Sequence, residues 1–307
     1  MNHSLYWDNF EKRILTTVNG IKNNQPIPIQ RVACFVTKKC NFRCEYCNMK
    51  FDNKEMSETT FDDIANKHNQ AILHITGGEP STVKWLYKYL DSHTGIFHLN
   101  TNAFLKPPEN IKRLKVSFDT FNEKYFNILC NRNAFSVVCN NISYATEYTV
   151  VFLTSVLTKE SYRNAPMLMR WCLSKFPKLY AMFFSVYKGN NKRFMFDKKD
   201  SDIFFNDVKP KLEKEMDTES LNLFSETIDE KFRIIQGKRF PENTTDKPCY
   251  LSMSERIYDY DGSYSNCSHL FRDGIKQKDY KKCKECLYGC NRRLVMFNEE
   301  VEKRIQK

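Results

Sequence analysis

Residues 40–47 read Cys-Asn-Phe-Arg-Cys-Glu-Tyr-Cys and follow the short apolar run Arg31 to Val36. The spacing C-x3-C-x2-C puts Cys40, Cys44 and Cys47 on one loop at the C-terminal end of a strand. Three soft thiolates can hold three irons of a four-iron cluster and leave one metal position open. Soft thiolates suit zinc as well, although a structural zinc site would need a fourth ligand to close, so the spacing alone does not decide between the two. The chain has twelve cysteines in 307 residues. Its first twenty residues carry Asp8, Glu11, Lys12 and Arg13 where a secretory signal would need an unbroken apolar segment. Without export the cysteines stay reduced, which favours metal binding or catalysis over a disulfide framework and predicts a soluble, cytoplasmic protein. No apolar run approaches the length of a membrane span.

Outward from the loop, strand-like runs alternate with helical periodicity. The strands are expected at Arg31 to Val36, Ala71 to Ile75, Ile96 to Asn100, Leu114 to Phe118, Thr149 to Thr154 and Tyr180 to Val186. Between them Val83, Leu86 and Leu90 repeat at helical spacing behind Ser81 as N-cap. Phe135, Val138, Ile142 and Ala145 do the same, as do Ala165, Leu168 and Cys172. Right-handed crossovers wind such βα units into a parallel sheet, here an α/β fold with a partial (β/α)6 barrel and its site at the strand C-terminal ends. His74 and His98 fall within strands and read as core or barrel-lining residues; Cys34, Cys130, Cys139 and Cys172 read as small buried hydrophobes.

Glycine is scarce, nine residues, yet two are adjacent in Gly77-Gly78-Glu79-Pro80 after the second strand. Paired glycines permit a close backbone approach to a ligand. With this motif in place the chain resembles the radical S-adenosylmethionine (radical SAM) superfamily, whose cluster loop reads C-x3-C-x-aromatic-C, with Tyr46 at the aromatic position. The resemblance implies that a [4Fe–4S] cluster sits on Cys40, Cys44 and Cys47, and that Gly77, Gly78, Glu79 and Pro80 meet the amino group of S-adenosylmethionine. It extends to Thr101-Asn102-Ala103, where relatives have TNG, and to Val116-Ser117-Phe118-Asp119, similar to VSxD. By that likeness Thr101 and Ser117 contact the cofactor's carboxylate or ribose, and Arg132 stands where some relatives place a carboxylate-binding arginine. Alanine at 103 implies a backbone there that does not need positive φ.

Past Gly189 the pattern changes. Leu221, Phe224, Ile228, Phe232 and Ile235 hold one helical face, and Pro210 is expected to start or kink the helix before it. From Cys249 to Cys290 five cysteines surround a hairpin whose turn is Asp261-Gly262. This stretch resembles the auxiliary-cluster modules called twitch domains and, more distantly, the SPASM domain. The likeness implies one auxiliary iron–sulfur cluster, of [4Fe–4S] type, on four of Cys249, Cys267, Cys283, Cys286 and Cys290. The expected organisation is an N-terminal extension (1–30), the radical SAM partial barrel (31–189), a helical connector (190–248), the small cysteine-rich auxiliary-cluster domain (249–290) and a C-terminal helix or tail (291–307).

The family's chemistry implies reductive cleavage of S-adenosylmethionine, served by a flavodoxin- or ferredoxin-type reductant, and hydrogen abstraction from the substrate. Auxiliary-cluster-assisted oxidation or thiol-assisted epimerisation would follow. The net charge of +11 points to an anionic small molecule or a nucleotide. About thirty residues precede the first strand, too few for a leader-peptide recognition domain, which weakens a peptide substrate without removing it. Nucleic acid is not favoured, because the aromatics are spread as a core would be. Two other classes fit parts of the sequence: a zinc-dependent nucleic-acid-binding protein and a non-catalytic iron–sulfur electron carrier. Neither has a use for the Gly77–Pro80 or Val116–Asp119 segments.

Overall fold

The computed structural model describes residues 10–187, 189–216, 249–266 and 292–307. Among these residues eight strands form one sheet in the order β6-β5-β4-β3-β2-β1-β7-β8. The six expected strands are β1 Arg31–Phe35, β2 Ile72–Thr76, β3 Ile96–Thr101, β4 Arg113–Ser117, β5 Val150–Leu157 and β6 Ala181–Val186, and all pair in parallel. Helices cross between them: α2 Glu58–Lys67, α3 Leu86–Ser92, α4 Glu123–Leu129, α5 Phe135–Ala145 and α6 Ala165–Lys175. An earlier helix, α1 Phe10–Lys22, precedes the sheet.

Side chains alternate across a strand, so each strand gives one set to the helices and one to the opposite face. Val32 and Cys34, Leu73 and Ile75, Leu114 and Val116, and Val151 and Leu153 join Leu86, Leu90, Val138, Ile142 and Leu168 in a single core. Burying each such side chain contributes about 1.5–3 kcal/mol. Cys34, Cys130, Cys139 and Cys172 are all buried, as expected. At the end of β4, Phe118 stacks on Trp171 with centroids 5.8 Å apart and meets Phe126 and Phe135, fastening α4, α5 and α6 to one strand end.

The Pro80 region departs from the sequence reading. Pro80–Thr82 is a 3₁₀ turn, and the α-helix begins only at Leu86. Ser81 is not an N-cap; its own N–H is taken by the Glu79 carboxylate at 3.0 Å, which caps the turn instead. Pro210 behaves as expected for a helix-distorting residue. Helix α7 Lys198–Ile203 opens into a π-helical turn, Phe204–Val208, before α8 Lys209–Glu213. The Lys209 N–H reaches back to Phe204 C=O, and this wider turn makes room for the proline ring that follows.

After the short α9 Leu251–Ser254, the expected hairpin forms from β7 Glu255–Tyr258 and β8 Tyr264–Ser265, with Gly262 at φ +77° in its turn. Beyond the sequence reading, β7 also pairs in parallel with β1 and so extends the main sheet. The last helix, α10 Arg292–Ile305, packs on α1 through Ile14, Val18, Leu251, Phe297 and Val301. Arg304 pairs with Glu11 at 2.5 Å, and Arg13 of α1 pairs with Glu255 of β7. The helices α1 and α10 thereby meet beside β7. No helix among the described residues is long and apolar enough to cross a membrane.

Candidate active site

The three-cysteine loop leaves the C-terminal end of β1 and is held from several directions. Gly78 N–H donates to Thr37 C=O at 2.8 Å, and Glu79 N–H to Lys39 C=O at 2.7 Å. A Cβ on Gly78 would lie 2.0 Å from Lys39 O, and one on Gly77 2.5 Å from Thr37 O. The close approach that requires the glycine pair is therefore an approach to the backbone leading into the loop, a reason that the ligand-centred reading of these glycines missed. Glu79 is almost wholly buried and accepts from Thr101 Oγ1 (2.6 Å), Asn102 N (2.7 Å) and Ser81 N (3.0 Å). Burial pushes its carboxyl up, and these hydrogen bonds oppose the push. Its carboxylate clips the ends of β2 and β3 together, and Thr101, expected at the cofactor, gives its hydroxyl to that clip.

The β3 end holds the loop too. Asn102 Nδ2 donates to Asn41 Oδ1 at 2.6 Å, while Arg132 donates to Asn41 C=O at 2.9 Å and lies over the Phe104 ring at 4.1 Å. Next, Arg43 N–H and Glu45 N–H donate to Cys130 C=O and Leu129 C=O. Carbonyls of the last turn of a helix lack intrahelical donors, and the loop supplies them for α4. Tyr46 Oη donates to Asp119 at 2.5 Å, and Asp119 also accepts from Val156 N at 2.7 Å. Burial raises the Asp119 carboxyl, with both hydrogen bonds acting against it. Ser117 is exposed at the end of β4, while a cleft on the helix side, which Ser117 does not line, is bounded by Asp119, Thr120, Phe121, Ser155, Leu157 and Glu160.

Two contributors were not found in the sequence. Arg193 bridges Glu45 of the loop (2.8 Å) to Glu160 (2.5 Å), and Phe194, fully buried, meets Tyr46 edge-on with centroids 6.5 Å apart. They come from the segment after β6, which no local pattern relates to residues 45 and 46. Ala103 corrects another expectation. Its φ is +55°, so the backbone does take the left-handed conformation that relatives give to glycine. An L-residue there costs about 1–2 kcal/mol. Ala103→Gly is expected to raise stability by about 0.5–1 kcal/mol after the added freedom of the unfolded glycine is subtracted. Denaturant unfolding checks this; an unchanged or lowered midpoint would show that the alanine is unstrained.

Cys40 and Cys44 are half-buried and Cys47 is exposed. Burial raises the Cys40 and Cys44 thiols, and the charges of neighbouring cysteines, felt from Cys47 at both, raise them further. Three thiols on one loop, whose backbone is fixed from outside, form a donor set that suits an iron–sulfur cluster with an open position, and cationic metal would reverse those shifts. Among the described residues no three metal-binding side chains already close on a common point. Cys249 is half-buried beside the α1–α10 core; Cys267, Cys283, Cys286 and Cys290 lie outside the described residues.

No family model matches the chain. Curated relatives include the GTP 3',8-cyclases of Staphylococcus aureus strains JH9 and Newman, each 30% identical over 155 residues, which cover 42% of this chain and 46% of the relative. The chain thus spans about half the length of the curated relatives it matches. Among solved structures, Streptococcus suis SuiB bound to S-adenosylmethionine superposes with a TM-score of 0.56 at 15% identity, over 92% of this chain and 66% of that one. The protein anSMEcpe with bound AdoMet and Cp18Cys peptide gives 0.51 at 16% identity, over 91% and 83%. These likenesses establish the fold.

Proposed function

We propose that this chain, a radical SAM protein by its fold and its cluster-loop sequence, cleaves S-adenosylmethionine reductively and abstracts a hydrogen from a small anionic molecule, a nucleotide or a peptide. The observation that carries this reading is the clamping of a three-thiol loop onto the Gly77–Glu79 backbone at the C-terminal ends of β1 and β2. When bound at that loop, a [4Fe–4S] cluster and S-adenosylmethionine supply a 5′-deoxyadenosyl radical.

The residues of the chain bind and orient. Cys40, Cys44 and Cys47 would hold the cluster, and the Asn41, Arg43, Glu45 and Tyr46 contacts fix the loop from which they project. The backbone of Gly77 to Pro80 would receive the cofactor's amino group, Ser117 its ribose or carboxylate, and Thr101 would act through the Glu79 clip. Arg132 would reach a carboxylate from its perch on Phe104. Cys249 with three of Cys267, Cys283, Cys286 and Cys290 would hold an auxiliary cluster able to accept an electron from the substrate radical.

The alternative outcome, epimerisation, needs a thiol facing the radical. Cys130, Cys139 and Cys172 pack in the helix-side core, so a donor would come from the C-terminal cysteines instead. Support for substrate class is divided: the name of the curated relatives is that of a nucleotide cyclase, whereas SuiB and anSMEcpe are described with bound peptides. The test is formation of 5′-deoxyadenosine from S-adenosylmethionine by the reconstituted, reduced protein.

A further inference from the structure

We propose that Arg193 is a positioning residue for the cluster loop: it holds the side chain of Glu45, the neighbour of Cys44, and keeps the charge of that carboxylate from lowering the reduction potential of a cluster bound by the three cysteines. This rests on the radical reading and deepens it by naming a residue that tunes the redox chemistry of the loop.

Glu45 and Tyr46 stand between Cys44 and Cys47, so whatever holds them sets the turn that carries the last two thiols. Glu45 N–H donates to Leu129 C=O at 3.1 Å, and Tyr46 Oη donates to Asp119 at 2.5 Å. The Glu45 carboxylate is held from another quarter. Arg193 Nη1 donates to it at 2.8 Å, while Nε and Nη2 of the same guanidinium donate to the two oxygens of Glu160 at 2.5 and 3.1 Å. A planar fork of this kind can serve two carboxylates at once.

The guanidinium is aimed by its own segment. Arg193 N–H donates to Asn191 Oδ1 at 3.0 Å, Phe194 N–H to Asn191 C=O at 3.0 Å, and Phe194 C=O accepts from Lys159 N–H at 3.0 Å. The buried Phe194 ring meets Tyr46 and Tyr187 edge-on, with centroids 6.5 and 5.7 Å away, and the guanidinium lies 5.0 Å from its centroid. Glu160 is fixed in turn by Tyr125 Oη of α4 at 3.1 Å. One arginine thus joins the segment after β6, the residues that follow β5, and the cluster loop.

Charge decides what this junction does. Arg193, Glu45 and Glu160 are all partly exposed, and ion pairs so open to water add little to stability. Without Arg193 the loop would keep its hydrogen bonds to α4, to Asn102 and to Asp119. The trio, one cation and two carboxylates, carries −1; without Arg193 it would carry −2, with one of the two carboxylates next in sequence to a cluster cysteine. Added negative charge disfavours the uptake of an electron by an iron–sulfur cluster, whose potential follows the charge around it. Screening at about 0.1 M ionic strength reaches about 10 Å, so a charge this near the ligands is felt.

Redox titration of the reconstituted full chain at about 0.1 M ionic strength tests the proposal. It is followed by electron paramagnetic resonance of the reduced cluster whose spectrum changes when S-adenosylmethionine is added. At the potential that half-reduces this cluster in the parent, Arg193→Gln is expected to lower the reduced-to-oxidised ratio roughly threefold or more, with iron content and circular dichroism near those of the parent. Arg193→Lys, which keeps the charge, should stay closer to the parent. Combining Arg193→Gln with Glu45→Gln returns the trio to −1 and should restore the ratio, which the removal of a second side chain would not do for a merely structural loss. Glu45→Gln alone should raise the ratio, a test that does not depend on the folding of Arg193→Gln. An unchanged ratio in Arg193→Gln, no restoration in the double variant, an unchanged or lowered ratio in Glu45→Gln, or an equal fall in Lys192→Gln would overturn the role. A parent chain without such a signal would overturn the radical reading and this role with it, whereas a signal indifferent to Arg193 and Glu45 would remove this role alone.

Discussion

Cys44→Ala is expected to bring 5′-deoxyadenosine formation below detection while the fold persists. Cys44 lies at the centre of the loop, where its thiol is half-buried and feels Cys40 and Cys47. Removing one of three thiolates leaves two ligands, too few to retain the cluster that S-adenosylmethionine must meet. The loop itself is anchored by groups that the substitution spares: the Arg43 and Glu45 N–H groups on α4, the Asn41 side chain and the Tyr46 hydroxyl. Loss of stability should therefore stay near 1 kcal/mol. Iron should fall by about four per chain. Undiminished 5′-deoxyadenosine yield in this variant would remove the cluster from this loop.

Gly78→Ala should be the most damaging single-methyl change near the site. The added Cβ would meet Lys39 O at 2.0 Å, Lys39 C at 2.7 Å and Lys38 C at 3.2 Å, all backbone. Neither side can yield through a rotamer, and the Gly78–Thr37 and Glu79–Lys39 hydrogen bonds on either side would have to lengthen together. We expect a loss of about 2–4 kcal/mol, from overpacking and from weakened buried hydrogen bonds. Reconstituted iron should fall as well, because the displaced segment leads directly to Cys40. Gly20→Ala provides the contrast: its closest atom, at 2.6 Å, is the side-chain Ile27 Cγ1. The nearest backbone atom there, Gln25 O, is 3.3 Å away, so Ile27 must turn but the backbone need hardly shift, and with the helix preference of alanine the cost should be smaller than at Gly78. Denaturant unfolding of the two variants measures the difference; equal midpoints would show that the β1–β2 backbone contact is not rigid.

The parallel strands were legible because each buries one face under helices, which leaves apolar residues at alternate positions in β4 (Arg-Leu-Lys-Val-Ser), and a nearly continuous apolar run where both faces are covered, as in β2 (Ile-Leu-His-Ile-Thr). Strand β7, Glu-Arg-Ile-Tyr, has no such run, and its pairing with β1 depends on the tertiary arrangement of Arg13, Arg31 and Glu255. The loop that carries Cys40, Cys44 and Cys47 stood out by its cysteine spacing, and the contacts that hold it did not. Nothing local marks Arg193 as a partner of Glu45, or the α4 carbonyls as acceptors for loop N–H groups. Two residues were misjudged by local rules that longer-range contacts override. Ser81 has the character of an N-cap, but the three donors that converge on Glu79 fix the cap two residues earlier. Ala103 lacks the freedom of glycine and is nevertheless held left-handed, with its N–H on Thr101 Oγ1 and its C=O receiving Asn141.

Anaerobic reconstitution with iron and sulfide, followed by iron counting and by reduction in the presence of S-adenosylmethionine, tests the central claim most directly. The account predicts about eight irons per chain and formation of 5′-deoxyadenosine; about four irons with product would keep the radical reading and remove the auxiliary cluster. Zinc in place of iron, with no cleavage product, would contradict it.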